Sequence, residues 1–215
     1  MAMKTMMAAA ALALAIGCGG GGSTAGSASF TGTVRGQSFS PKETLSADAT
    51  INTSAGSASV GAIILTDQTS TCSHAGANSE SKNSKYFVIA LGELQVTGSS
   101  VAIVKPTGPG NFGVYATSSG GLPPSKLAIV VSETSGADCK DTASLEAVGT
   151  GGTVRVTSIS NGAYSGDFNI TLTEGNGNGD PKSGGATDTV SGTFTAAACP
   201  SLGALVATTR NTTCL

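Results

Sequence analysis

Five cysteines, a single histidine and thirteen carboxylates are the side chains of this 215-residue sequence that carry reactive chemistry. The cysteines stand at 18, 72, 139, 199 and 214, and no two lie within five residues of each other. Structural zinc sites need ligand pairs at short spacing, so this scatter speaks for disulfides rather than a metal centre. With Cys18 set apart near the start, Cys72, Cys139, Cys199 and Cys214 form an even set with three possible pairings. The favoured pairing is Cys72 with Cys139 and Cys199 with Cys214, because the last two bracket a short terminal segment that would otherwise fray. Closing a loop of about 15 residues stabilises by roughly 3 kcal/mol in the chain-entropy view.

His74 follows Cys72 by two positions in the polar run Ser70-Thr-Cys-Ser-His-Ala-Gly-Ala-Asn78. A Ser-His-Asp triad needs a histidine, but no Gly-x-Ser-x-Gly elbow accompanies this one. It reads as an exposed loop residue beside a disulfide, and no catalytic residue is assigned. The nearest grouping of carboxylates is Asp138 and Asp141 around Cys139, with Glu133 and Glu146 further out. Glycan-cleaving or glycan-binding sites normally offer aromatic platforms, and the chain has no Trp, three Tyr and six Phe. A further run places side-chain oxygens at alternate positions: Glu174, Asn176, Asn178 and Asp180, separated by glycines. That spacing suits a hard cation such as calcium, and it resembles a single copy of a glycine- and aspartate-rich calcium-binding turn. Asp188 lies close enough in sequence to add a ligand. The same residues are also ordinary turn formers, and a flexible hairpin loop accounts for them.

The leader carries the most information. Lys4 precedes an apolar, alanine-rich stretch from Met6 to Ile16, and small residues lead into Gly17-Cys18. A charged start, an apolar middle and a small-residue cut site describe a secretory signal. Leu14-Ala15-Ile16-Gly17-Cys18 resembles the lipobox of bacterial lipoproteins. That resemblance implies cleavage before Cys18, acylation of Cys18 as the mature N-terminus, and attachment to a membrane. Gly19 rather than Asp after the cysteine implies the outer membrane of a two-membrane cell. Residues 19–27, GGGGSTAGS, then form a flexible tether with a root-mean-square span of roughly 15 to 18 Å. The expected organisation is a signal peptide at 1–17, lipidated Cys18 with its tether to residue 27, and one domain over 28–215. Disulfides persist outside the cytoplasm, in agreement with the cysteine count.

Over the domain, short runs of Val, Ile, Thr, Phe and Tyr alternate with Gly, Pro, Asn and Ser, a strand-and-turn chemistry. Ten strands are expected, at 30–34, 45–51, 58–66, 85–94, 100–104, 113–117, 126–132, 153–159, 163–172 and 187–196. Asn161-Gly162 between two of them is the signature of a type I′ hairpin. In the strand after it, Tyr164, Phe168, Ile170 and Leu172 alternate with polar residues, so one face is buried. Val190, Gly192, Phe194 and Ala196 repeat the pattern and should pair with it across the loop at 174–186. Residues 62–65 and 86–91 are apolar without alternation, as in strands covered on both faces. Lys140 to Ala147 has room for one or two helical turns. The fold expected is all-β, an antiparallel β-sandwich, with an antiparallel β-barrel as the alternative.

The formal charge of −2, with only 11% charged residues, leaves no basic excess for a phosphate backbone, so nucleic acid is not an expected partner. Hydrophobic residues at 39% suffice for a core despite 31 glycines. The function expected is that of a lipid-anchored envelope protein whose β domain binds or scaffolds without catalysis, with an envelope or extracellular protein or glycan as possible partner. The alternatives are an envelope hydrolase with a site assembled from distant residues, and a carrier enclosing a small apolar ligand in several hundred cubic ångströms.

Overall fold

The computed structural model describes residues 25–53, 56–98, 100–116, 123–203 and 213–215. Cys18 and its tether up to residue 24 lie outside them. The strands are β1 (Ser27–Thr31), β2 (Thr33–Val34), β3 (Gln37–Ser38), β4 (Glu43–Thr53), β5 (Gly56–Thr66), β6 (Ser79–Glu80), β7 (Lys85–Thr97), β8 (Ser100–Val104), β9 (Gly110–Val114), β10 (Lys126–Thr134), β11 (Ala147–Ser160), β12 (Ala163–Glu174), β13 (Thr187–Ala198) and β14 (Thr213–Cys214). Among the described residues two short helices join them, α1 (Thr71–Gly76) and α2 (Pro200–Gly203), and Ala143–Leu145 makes a 3-10 turn within the segment expected to be helical.

Of the two expected architectures, the barrel is the one formed. Eight strands run β4-β5-β7-β10-β9-β11-β12-β13, and the sheet closes where Ala197 and Ala198 of β13 pair in parallel with Leu45 and Ser46 of β4. The other parallel contact in the ring is between β9 and β10. Closure removes the free edges that a sandwich would leave. Its seam is sealed from inside by Ser46, whose Oγ donates to the carbonyl of Gly162 at 2.7 Å. β1 continues the seam below β4: it pairs with β13, and Gly26 bridges Thr44. The ring is possible because its strands are longer than their apolar stretches. β4 and β5 have 11 residues, β7 has 13 and β11 has 14, enough to tilt and coil around an axis.

The Asn161-Gly162 hairpin forms as expected, with both residues at positive φ (49° and 79°) and β11 and β12 paired on either side. β12 pairs with β13 throughout, Phe168 opposite Gly192. Inward-facing residues build one core, including Ile63, Phe87, Phe112, Tyr164, Phe168 and Ile170. Phe30, Phe39, Phe87 and Phe168 form its aromatic centre, with ring centroids 4.9 to 5.8 Å apart. Among the described residues, these side chains fill the interior. Gly61 shows how closely: a Cβ there would stand 2.3 Å from the Tyr164 hydroxyl.

A second apolar cluster lies on the outside of the barrel. Leu45, Ile64, Tyr86 and Val88 face outward and are covered by Ala75 of α1, Leu202 of α2 and Cys199. This outer cover is why residues 62–65 and 86–91 lack alternation: they are buried on both faces.

Candidate functional site

The side chains with chemistry gather on this outer layer, which two disulfides fasten. Cys72 pairs with Cys199 and Cys139 with Cys214, with Cα atoms 5.8 and 5.7 Å apart. All four expected cysteines are therefore bridged, but the favoured pairing of Cys72 with Cys139 and Cys199 with Cys214 is corrected. The reason is barrel closure. The end of β13 docks on the start of β4, where the Cys199 amide donates to the Ser46 carbonyl at 2.7 Å. α1 is tied to the same strand by Glu43, whose two carboxylate oxygens accept from the Ser70 and Thr71 amides at 3.0 and 2.7 Å. Both helices consequently stand over β4, and their cysteines meet across 127 residues. Cys139 sits in the loop after β10, beside β6, and β14 pairs with β6 to bring Cys214 there.

His74 is on α1 rather than in a loop. It is half-buried, and its Nδ1 lies 3.1 Å from the Ser81 hydroxyl. Among the described residues no carboxylate hydrogen-bonds its ring, so the acid-base-nucleophile chain of a hydrolytic triad is not assembled there.

The structure does assemble four carboxyl groups on this side of the barrel: Glu80 of β6, Glu133 of β10, Asp141 of the following loop and Glu146 just before β11. Glu133 lies opposite Tyr86 in the β7–β10 ladder. The loop holding Asp141 folds back through the Ser135–Asp141 bridge and is fastened to β6 by the Cys139–Cys214 disulfide. Burial pushes the Glu80 carboxyl up to about 7 and that of Glu133 up to about 8, with the charge of Asp141 adding to both. Burial also raises Asp141 and Glu146, the latter opposed by hydrogen bonds from the backbone of Gly179 and Gly177. The Tyr86 phenol is pushed up to about 12, mainly by burial. Among the described residues no Lys or Arg forms an ion pair with any of these four. Burial and mutual repulsion thus both favour the protonated forms of these carboxyls. Sequence proximity to Cys139 pointed to three of its members, whereas Glu80, from a strand more than fifty residues earlier, carried no such signal.

The expected calcium run falls in the loop between β12 and β13. Glu174 is paired with Arg35 at 3.3 Å and with Lys182 at 2.9 Å, which hold its carboxyl below the usual range. The Asn176 side-chain oxygen accepts from the backbone amides of Asn178 at 2.8 Å and Asp180 at 3.4 Å, folding the loop on itself. Asp188 accepts from the Arg35 amide and the Thr33 hydroxyl, which ties the β2–β3 hairpin to β13. No group of three or more His, Cys, Asp or Glu disposed to hold a metal occurs among the described residues. A notch beneath the β2–β3 hairpin, lined by Val34, Arg35, Phe39 and Lys85, encloses only about 10 Å³, roughly what one water occupies.

Fold and outer layer together define a closed, filled β-barrel with a disulfide-fastened cap on one flank. No family model matches the chain, and neither a curated protein nor a solved structure matches it.

Proposed function

We propose that this protein is a lipid-anchored component of a bacterial cell envelope, held at the outer membrane through Cys18, whose barrel serves as a rigid binding or scaffolding module rather than an enzyme. The observation that carries the reading is the cysteine arithmetic joined to the leader: four of five cysteines are consumed by two disulfides, and Cys18 is the one left over, at a lipobox-like site. Disulfides that fasten an outer cap suit an oxidising compartment. The filled interior favours a scaffold over a carrier, because a carrier must keep space for its ligand. The ring of His74 is held by the Ser81 hydroxyl and, among the described residues, by no carboxylate, which supports binding over triad hydrolysis.

The test is the intact mass of protein extracted from bacterial membranes, for the wild type and Cys18→Ser. A wild-type mass equal to the chain from Cys18 with a diacylglyceryl and an N-acyl group, lost in the variant, supports the reading. A soluble, unacylated species cut elsewhere overturns it.

A further inference from the structure

The β2–β3 hairpin closes one mouth of the barrel. Val34 of β2 and Phe39, just after β3, enter the core, while β7 and β10 turn polar residues inward beneath them. In the β7–β10 ladder Ser132 lies opposite Phe87 and Thr134 opposite Lys85. Phe87 belongs to the core, cross-strand partners share a face, and so do residues two apart along a strand; Lys85, Ser132 and Thr134 therefore all belong to the inner face. These three line the notch under the hairpin together with Arg35 and Phe39, and among the described residues no carboxylate lines it. The mouth of a β-barrel is a common place for a small-ligand site.

Two observations give this notch its chemistry. The first is an orphan donor: Arg35 Nε is buried without a hydrogen-bond partner among the described residues, although a terminal nitrogen of the same guanidinium pairs with Glu174 at 3.3 Å. A buried donor left without an acceptor carries its whole desolvation penalty, so an acceptor in the notch is favoured. The second is charge. Glu174 is shared between Arg35 and Lys182, Asp188 accepts from the Arg35 amide and the Thr33 hydroxyl, and Asp67 accepts from the Lys85 amide and the Gln68 side chain. The Lys85 ammonium itself donates to the Ser38 carbonyl at 3.3 Å and, among the described residues, pairs with no carboxylate. The Thr134 hydroxyl makes no hydrogen bond among the described residues and is a further donor.

We propose that this barrel mouth binds a carboxylate group of a small ligand, one oxygen occupying the notch that Arg35, Lys85 and Thr134 line while the rest of the ligand stays outside. The enclosed space of about 10 Å³ admits one oxygen-sized atom. One ammonium without a carboxylate partner balances one negative charge, which suits a carboxylate better than a doubly charged phosphate. The site stands on the barrel alone and holds whether or not Cys18 is acylated.

The chain has three arginines, Arg35, Arg155 and Arg210, so their Nε–H groups can be followed one by one in nitrogen-edited proton NMR. The probe is sodium acetate, exchanged for sodium chloride at constant ionic strength. The Arg35 Nε–H resonance is expected to shift and saturate at roughly millimolar acetate, an affinity within reach of so small a ligand, while that of Arg155 stays in place. Lys85→Gln should weaken the response at least about tenfold. Lys42→Gln, which removes an exposed charge outside the notch, should leave it unchanged. A drift at Arg35 that stays linear in acetate overturns the proposal, and the wild-type titration decides this even where Lys85→Gln does not fold. Equal affinity in Lys85→Gln and the wild type overturns it too. Inorganic phosphate saturating the same resonance at lower concentration than acetate overturns the carboxylate assignment.

Discussion

Glu133 concentrates the chemistry that this barrel buries. Burial pushes its carboxyl up from the ordinary 4.5 to about 8, so the folded state favours the protonated form. The stability this gives is fully present at acidic pH, falls as pH rises from about 4.5 to about 8, and is gone above that. Glu80, raised to about 7, acts in the same direction over a narrower window. The protein should therefore unfold at lower denaturant concentration at pH 8.5 than at pH 5.5. Glu133→Gln should flatten that slope, with a gain at pH 8.5 on the order of 1 to 3 kcal/mol after allowance for partial exposure of the cluster. A slope unchanged in Glu133→Gln, measured by urea midpoints across pH, would sink the assignment. Close packing gives a second prediction at this scale. Gly61→Ala puts a methyl against the Tyr164 hydroxyl, and a loss of about 1 to 3 kcal/mol is expected. Tyr164→Phe removes the oxygen at fault, so the double variant should recover part of the loss, a coupling readable in a double-mutant cycle.

The elements that sequence reading placed well are those whose pattern is local. The hairpin at Asn161-Gly162 was legible because the turn chemistry and the alternation on both sides agree. The edges of strands were less so: β11 begins at Ala147, six residues before its alternating stretch, because Gly149, Gly151 and Gly152 pair with β12 through backbone alone. α1 leaves no signal in the sequence, since six residues around His74 have too little periodicity to announce a helix, and its first turn is satisfied by Glu43 from a strand far away. The same distance defeated the disulfide pairing. Peptide mapping without reduction should recover fragments joining Cys72 to Cys199 and Cys139 to Cys214; a Cys72–Cys139 fragment would contradict the cap. Cys72→Ser with Cys199→Ser opens a long loop and should lower stability by about 2 to 4 kcal/mol. His74 should then lose protection from solvent in hydrogen exchange as α1 detaches.

At the scale of the whole molecule, the barrel core is one continuous body centred on four phenylalanines, so Phe87→Ala should cost about 3 to 5 kcal/mol and be seen as a cooperative shift of the entire transition. On the proposed anchoring, Cys18→Ser should move the protein from the membrane to the soluble fraction while leaving its melting transition unchanged, since Cys18 precedes β1 in sequence and takes part in neither disulfide. The sequence by itself determined the all-β class, the order of most strands, the central hairpin, the even set of bridged cysteines and the expectation of export, because each is written in neighbouring residues: period-two alternation, turn dipeptides, composition and a leader. Tertiary structure alone decided that the sheet closes into a ring, which cysteines meet, and that Glu80 joins Glu133, Asp141 and Glu146 on one flank. Those outcomes depend on strand tilt and on which ends of a closed sheet come together, quantities that accumulate over the whole circumference and leave no mark in any single stretch of chain.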